Sequence, residues 1–410
     1  MAPSKVLVLN AGSASLKFDV VEADAAQASP HDGRTILSGI LEGIGKVEST
    51  LSRFHGKDPH EEAKVPAKDY GEATRQALQW IERQQLDRRR GLDSLDLVVH
   101  RVVHGGNRFE RATVINQDTI AGIEELQDLA PLHNGPALEV IRASREVLGA
   151  TQKMIAGFDT VFHRSLPPVA YRYALPADLV DRHQIRRYGF HGPSHEYLLL
   201  RYCELTSTSR EKASVITMHL ESGCSACAIR NGQSVDTSMG FTPLEGLVMG
   251  MRSGDIDPAL VGYIARREKL DLDKVEELLN KKSGLLGMSG VSHDTRVLME
   301  KRAGNKKVQL ALDVFCYRLR KYIGAYLAAL EGHAAAIVFG GGIGENSPWI
   351  REQVCEGMEW CGIRLDRQAN QRLINYEGKI SKDDSRLAVF VIPTQEALML
   401  AHQAVRVGLR

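Results

Sequence analysis

Residues 6–18, Val-Leu-Val-Leu-Asn-Ala-Gly-Ser-Ala-Ser-Leu-Lys-Phe, gather an amide side chain, two hydroxyls and a cation around one glycine. Asn10, Gly12, Ser13 and Ser15 leave backbone amides and short polar groups uncovered by bulk, and Lys17 follows just beyond. This chemistry suits phosphate oxygens. The stretch lacks the Walker spacing G-x-x-x-x-G-K-S/T and no helix opens after it, so a phosphate here would meet a hairpin. Alone, the turn reads equally well as an ordinary glycine-containing β-turn. A second copy changes the balance: residues 214–229 again run from an apolar strand ending at His219 and Leu220, through a turn at Ser222-Gly223, into an apolar strand. A third glycine turn at 337–346 follows an apolar strand and opens toward a helix, carrying Gly342, Ile343, Gly344 and Asn346.

Other charged groups lie where strands break. Arg101 stands near the end of the run 95–106, just before Val103 and two glycines, where ligands of open α/β sheets collect. Its guanidinium suits bidentate binding of a carboxylate or phosphate, and equally a structural ion pair. Asp159 and Glu396 each follow a strand and suit a metal, an attacking group or a helix cap. His133 falls in a proline-bounded turn before a helix. His191 and His195 are four residues apart, but Gly192-Pro193 intervenes and H-E-x-x-H is absent, which argues against zinc. Arg252 lies in a long glycine- and proline-punctuated loop, a kind of segment that often carries function.

The elements that must position these groups are legible from periodicity. Strands are expected at 6–20, 95–103, 155–163, 214–229 and 387–392, with edge strands and surface loops over 22–70. The turns there include Gly-Lys and His-Gly-Lys. Helices are expected at 71–85, 196–205, 258–267, 273–280 and 306–331. In the last, Leu312, Phe315, Leu319, Ile323, Tyr326 and Leu330 form a stripe that is core or a dimer surface. The basic run Arg88-Arg89-Arg90 reads as a solvated helix end.

A length of 410 residues suits two domains, which fits the repeated hairpin. The net charge of +1 gives no basis for a nucleic-acid or anionic-membrane partner. Without a run of apolar residues long enough to span a bilayer, the chain is expected to be cytoplasmic. Six cysteines are too few for a disulfide framework, and Cys224 and Cys227 form a C-x-x-C with no second pair, so reduced, packed thiols are expected.

Two hairpins and one strand-to-helix glycine loop resemble the arrangement of actin-like sugar and acid kinases. The motifs NAGSASLKF (10–18), HRVVHGG (100–106), FDTVFH (158–163), RRYGFHG (186–192), DTSMGFTPLEG (236–246), RSGDIDP (252–258) and GGIGENS (341–347) together resemble the acetate kinase family over nearly the whole chain. The resemblance implies an α/β fold of two related actin-like, ribonuclease H-like domains, each a mixed sheet flanked by helices, with the active site in the cleft between them. The first domain would span 1–163, with the final helix 397–410 packing back on it. The second would span 164–396 and carry the nucleotide site and a homodimer surface.

The implied activity is magnesium-dependent transfer of a phosphoryl group between ATP and acetate, with manganese as an alternative metal. Carried over by position, Arg101 and Arg252 hold the carboxylate and the transferring group. Asn10, His191 and Gly223 contact that group, with His191 and Arg252 stabilising the transition state. Asp159 and Glu396 organise magnesium and the acceptor, Asn10 joining Glu396 as a metal ligand. Val103, Leu132, Phe190 and Pro243 resemble the pocket for the acetate methyl. Ser13, Ser15, Lys17, His219 and Ser222 would line the phosphates, and Asp294, Thr295, Arg296, Gly342, Ile343, Gly344 and Asn346 the nucleotide.

The second turn departs from the family's His-Leu-Gly-Asn-Gly, because Glu221-Ser222 precedes Gly223. Glu221 adds a negative charge beside a polyphosphate site, and the residues easiest to place at positive φ are gone. Nucleotide affinity and the identity of the donor are therefore at issue. Ala14, Thr295 and Gln395 are milder departures. The alternatives are a propionate or short-chain acid kinase, a homologue using another donor such as pyrophosphate, and a non-catalytic nucleotide switch.

Overall fold

The computed structural model describes residues 3–12, 14–26, 29–46, 48–54, 61–84 and 91–408. Ser13, the His-Gly-Lys turn at 55–57 and Arg88–Arg90 lie outside them. The chain divides into two compact units, Met1–Val161 with Gly192–Tyr197 and Gln395–Arg410, and Phe162–His191 with Leu198–Thr394.

The first unit is built on strands β1 (Ser4–Ala11), β2 (Ser15–Ala23), β3 (Arg34–Glu42), β4 (Ser49–Phe54), β5 (Glu61–Val65), β6 (Leu97–Val102), β7 (Thr113–Val114) and β8 (Met154–Phe158). They form one mixed sheet in the order β5-β4-β3-β2-β1-β6-β8-β7. β1 and β2 form the expected antiparallel hairpin, while β6 runs parallel to β1 and β8 parallel to β6. Side chains of a strand alternate between faces. Leu7, Leu9, Leu16, Phe18, Val98 and Val102 therefore enter one core, which helices Tyr70–Arg83 and Pro131–Leu148 cover. The opposite face carries Asn10, Lys17 and Arg101, and the final helix Glu396–Gly408 packs on it. Gly157 permits that packing, since a Cβ there would lie 2.7 Å from Leu400 Cδ2.

The second unit repeats the plan with β9 (Val215–Leu220), β10 (Cys224–Arg230), β11 (Gln233–Thr237), β12 (Ala336–Gly340), β13 (Gly378–Lys379) and β14 (Ala388–Val391). Their order is β11-β10-β9-β12-β14-β13. Again a hairpin, β9–β10, is followed by parallel partners, β12 beside β9 and β14 beside β12. The segments β3-β2-β1-β6-β8 and β11-β10-β9-β12-β14 thus share one topology, the structural form of the repeat seen in sequence.

Several expectations change. β3 is an interior strand between β2 and β4 rather than an edge. Its Leu37 and Leu41 supply the core, and Ile36 and Ile40 beside them mask the period-two pattern in the sequence. His133 lies inside helix Pro131–Leu148, not in a turn before it, because Pro131 is compatible with a first helical turn. Pro136 sits within the same helix. Helix Gly192–Thr206 likewise begins four residues earlier than its apolar pattern suggests, with Pro193 in its first turn. The stripe Leu312, Phe315, Leu319, Ile323, Tyr326 and Leu330 is buried within the chain and is core. Among the described residues no helix is long and apolar enough to cross a membrane.

His100 on β6 is buried among the core strands, and neither ring nitrogen has a hydrogen-bond partner. Burial pushes its pKa down from 6.5 to about 3. The folded protein keeps this imidazole neutral where an unfolded chain would take a proton, so the contribution is complete above pH 6.5 and is lost as pH falls below it. At pH 5 the loss is about 2 kcal/mol. The melting temperature of the wild type should fall more steeply between pH 7 and pH 5 than that of His100→Leu, and equal slopes would contradict this.

Candidate active site

In the first unit the sheet register puts three polar residues at one level, because Asn10 is the cross-strand partner of both Lys17 and Arg101. Asp159 follows β8, two residues beyond the Gly157 that pairs with Arg101. Arg101 donates from Nε to Asp159 Oδ1 at 2.8 Å and from Nη2 to Oδ2 at 2.6 Å, a fork-to-fork pair. Nη1 donates to Asn10 Oδ1 at 3.2 Å and lies 3.6 Å from Glu396 Oε2. Arg101 and Asp159 are 14% and 1% exposed, so the pair is largely out of water. Glu396 opens the final helix and accepts a hydrogen bond from Ser194 Oγ. Asp19, on the face of β2 that carries Lys17, joins this group. Burial raises its pKa to about 7, with Lys17 opposing and Glu396 adding to the rise.

The first turn is held from behind. Gly12 N donates to Ser15 O at 2.8 Å, the Tyr70 hydroxyl donates to Gly12 O, and Ala14 O accepts from Gly43 N and Ile44 N at 3.0 and 3.2 Å. Lys17 is exposed beyond it.

In the second unit His191, Gly223 and Arg252 converge. A methyl group on Gly223 would lie 3.4 Å from His191 Nε2 and 3.5 Å from Arg252 Nη1. His191 has φ 56°, a left-handed conformation unusual for a side chain of this size. Its Nδ1 lies 2.8 Å from Ser225 Oγ, and its ring centroid is 4.3 Å from that of His219. His219 is buried with its Nδ1 lacking a partner, while its Nε2 lies 3.9 Å from a Glu221 oxygen. Arg252 Nη1 donates to Pro243 O at 3.1 Å.

The turn Glu221-Ser222-Gly223 uses no positive φ. The expectation that Glu221 and Ser222 strain it is corrected: the hairpin closes through Glu221 N to Gly223 O at 3.1 Å with ordinary backbone angles. What remains of the departure is charge. Positive φ occurs instead at Gly341 (73°), where a Cβ would lie 2.6 Å from Leu220 O, so only glycine brings this loop against β9. Glu221 lies alongside Gly342, with Oε1 3.9 Å from an added Cβ. Helix Gly341–Asn346 contains Ile343 and Gly344 and ends at Asn346, whose amide donates to Gly342 O at 3.0 Å. Asp294 caps the short helix Thr295–Glu300 and pairs with Arg296 at 2.6 Å, leaving Arg296 exposed and Thr295 buried.

The four residues assigned to an acetate-methyl pocket divide between the units. Val103 is buried and Leu132 exposed in the first, and Phe190 is buried in the second, which also holds Pro243. All six thiols are unpaired and buried, and burial pushes Cys224 up to about 12 and Cys227 higher, so both stay protonated and unreactive.

A family model described as the Acetokinase family matches residues 5–402. The chain belongs to the acetokinase family. An acetate kinase of Solibacter usitatus is 46% identical over 405 residues, covering 98% of this chain and 97% of its own length. One of Chloroherpeton thalassium is 44% identical over 416 residues, covering 99% of each. Among solved structures, that of Porphyromonas gingivalis acetate kinase matches with a TM-score of 0.86 at 39% identity, covering 97% of this chain and 98% of that one. A propionate kinase from Francisella tularensis matches at 0.88 and 34% identity, covering 98% of each.

For this acetokinase, reading the sequence missed Asp19, Tyr70 and Glu345. Asp19 shares the period-two face of Asn10 and Lys17, a signal that was present. Glu345 stands inside the glycine loop itself, buried, accepting Thr394 N at 2.9 Å, and burial with the charge of Glu221 raises its pKa against the pull of that amide. Tyr70 reaches its turn across 58 positions, and nothing local announces it.

Gly223→Ala should fold normally, since 3.4–3.5 Å is ordinary van der Waals contact. The methyl would nevertheless stand between His191 and Arg252. Phosphotransfer should drop by about 10- to 100-fold with an unchanged melting temperature, and full activity in this variant would show that the gap is not used.

Proposed function

We propose that this chain is an acetate kinase, reversibly transferring the γ-phosphoryl group of ATP to acetate. An acetate carboxylate oxygen attacks the γ-phosphorus, the bond to the β,γ-bridging oxygen breaks, and acetyl phosphate and ADP result. No proton changes hands. A carboxylate needs no base to attack, which explains why neither a nucleophilic serine nor a reactive cysteine is required. The observation that carries the reading is the convergence of Arg252 and His191 on Gly223: two donors flank a position that carries no side chain.

Catalysis of this kind is positioning and charge stabilisation. Arg252 and His191 spread the charge of the equatorial oxygens, and Arg101 orients an anionic group. Asp159 uses both oxygens on Arg101, so its part is to fix that guanidinium. Asn10, Ser13, Ser15 and Lys17 of the first turn, with Gly223, His219 and Ser222 of the second, serve the phosphates. His219 Nδ1, buried without a partner, suits a phosphate oxygen. Asp294, Thr295, Arg296 and the Gly342–Gly344 loop serve the rest of the nucleotide, and Val103, Leu132, Phe190 and Pro243 the acetate methyl. The same reading carries a cytoplasmic homodimer acting on small molecules, with no nucleic-acid or membrane partner.

Among the described residues no group of three or more His, Cys, Asp or Glu side chains is placed to hold a metal alone. Magnesium does not require one, because it takes one or two protein oxygens and fills its octahedron with phosphate and water. Asn10 Oδ1 and Glu396 Oε2 both face the cationic Nη1 of Arg101 and are hard donors that fit it. They would hold magnesium, or manganese, whose contribution is to neutralise phosphate charge.

Propionate is a second acceptor reading, favoured by the likeness to a solved propionate kinase. One methylene in an apolar pocket discriminates by only about 1–3 kcal/mol. ADP and acyl phosphate formation should therefore be measured with ATP, GTP or pyrophosphate against acetate, propionate or no acid. Acetate-dependent turnover with ATP, and slower turnover with propionate, are expected. Turnover indifferent to acid would overturn the reading in favour of a nucleotide switch. Joint replacement Glu221→Gly and Ser222→Asn should lower KM for ATP by removing the carboxylate beside Gly342, and an unchanged KM would mean that its charge does not reach the donor.

A further inference from the structure

The long loop that carries Arg252 has no helix or strand of its own between Ser238 and Pro258. Its shape is imposed by polar contacts at two points. At the first, Arg187 donates from Nη1 to three successive carbonyls, Thr237, Ser238 and Met239, at 2.9, 3.2 and 3.2 Å, and from Nη2 to Glu245 Oε1 at 2.6 Å. The Tyr173 hydroxyl donates to the other Glu245 oxygen and accepts Phe241 N at 2.9 Å. Gly240 lets these groups close, since a Cβ there would lie 1.6 Å from Glu245 Oε2. At the second point Asp255 accepts Gly246 N at 2.8 Å and Tyr322 Oη at 2.8 Å, and pairs with Arg318 at 3.3 Å. Arg252 lies between the two points and is tied to the loop again through Pro243 O.

Arg187 also sits four positions before His191. Tyr188 N and Gly189 N both donate to Gly240 O, at 3.0 and 3.3 Å, so the segment leading to Phe190 and His191 is stitched to the loop that leads to Pro243 and Arg252. The pair that joins them is partly buried, at 17% and 31% exposed. Burial works against the charge of Arg187, and Glu245 and Tyr173 outweigh it, so the guanidinium stays charged. Burial and Glu245 likewise raise the Tyr173 pKa, which keeps its hydroxyl a donor.

We propose that the Arg187–Glu245 ion pair, supported by Tyr173, is the positioning element that sets the separation of His191 and Arg252 across Gly223. It touches neither substrate. It acts by fixing where two phosphoryl-binding donors stand, and through Pro243 it also fixes one wall of the acceptor pocket. The inference rests on the acetate kinase reading of those donors.

The test is steady-state kinetics of Glu245→Gln in the full-length protein. kcat should fall by about 10- to 100-fold, as for a donor displaced by around an ångström, while KM for ATP changes little. The ratio of acetate to propionate turnover should shift with Pro243. Arg187→Lys should not restore function, because an ammonium lacks the fork that reaches three carbonyls and a carboxylate together. In an Arg252→Lys background, Glu245→Gln should cost less than in the wild type, since the guanidinium it positions is already gone while His191 and Pro243 remain to be displaced. Losses that simply multiply would show an effect on the fold at large and overturn the inference, as would a wild-type kcat in Glu245→Gln. Should Glu245→Gln not fold, Tyr173→Phe removes only the hydroxyl and its two hydrogen bonds, to Glu245 and from Phe241 N, and decides the matter by the same background comparison. Absence of acid-dependent turnover in the wild type would sink the underlying reading instead, a separate and prior outcome.

Discussion

Phosphoryl transfer to a carboxylate joins two anions, so cations must be fixed in place before either substrate arrives. Much of the architecture around the site serves that constraint. In the first unit the guanidinium of Arg101 is held by both oxygens of Asp159 at the carboxyl ends of two parallel strands. A buried charge of this kind is tolerable only because it is paired. The pairing also leaves one guanidinium nitrogen directed at Asn10 and Glu396. In the second unit Arg252 is fixed by a carbonyl of its own loop, and the loop by ion pairs at its two ends.

The shared topology of the two sheets explains how one plan yields two functional edges. A hairpin followed by parallel strands puts a glycine turn beside the carboxyl ends of its neighbours, the place where open sheets bind ligands. The units then diverge in what stands there. The first offers Asn10 and Arg101 with three carboxylates, suited to a metal and an acid. The second offers His191, His219 and Arg252 around Gly223, and the Gly341 loop packed against Leu220, suited to phosphates. Glu221 and Glu345 set negative charge on that second edge, as Asp19, Asp159 and Glu396 do on the first.

The hairpins, the glycine loop and the long helix were legible because strict alternation, small-residue turns and a 3.6-residue stripe are local signals. β3 was not, because the adjacent apolar pairs Ile36-Leu37 and Ile40-Leu41 mask the alternation with which Leu37, Gly39 and Leu41 are buried. Helix starts at Pro131 and Gly192 were placed late, since proline reads as a breaker although the first turn accepts it. At the site, residue types pointed to the acids and arginines but not to who holds whom. That Asp159 grips Arg101, or that Tyr70 and Arg187 brace loops distant in sequence, depends on contacts that no spacing encodes. Glu221 and Ser222 differ from Gly-Asn in conformational freedom and in charge, and the backbone angles leave only the charge to matter.

The claim that fixed guanidiniums carry the reaction is tested most directly by the turnover of Arg252→Ala with saturating acetate, ATP and magnesium. This variant removes a guanidinium that donates to the Pro243 carbonyl and reaches the Met249 sulfur. Turnover should fall by at least about 100-fold in a normally folded protein, the scale set by loss of a preorganised donor in a water-poor site. Turnover equal to the wild type would contradict the account, because it would mean that the charge of the transferring group is stabilised elsewhere.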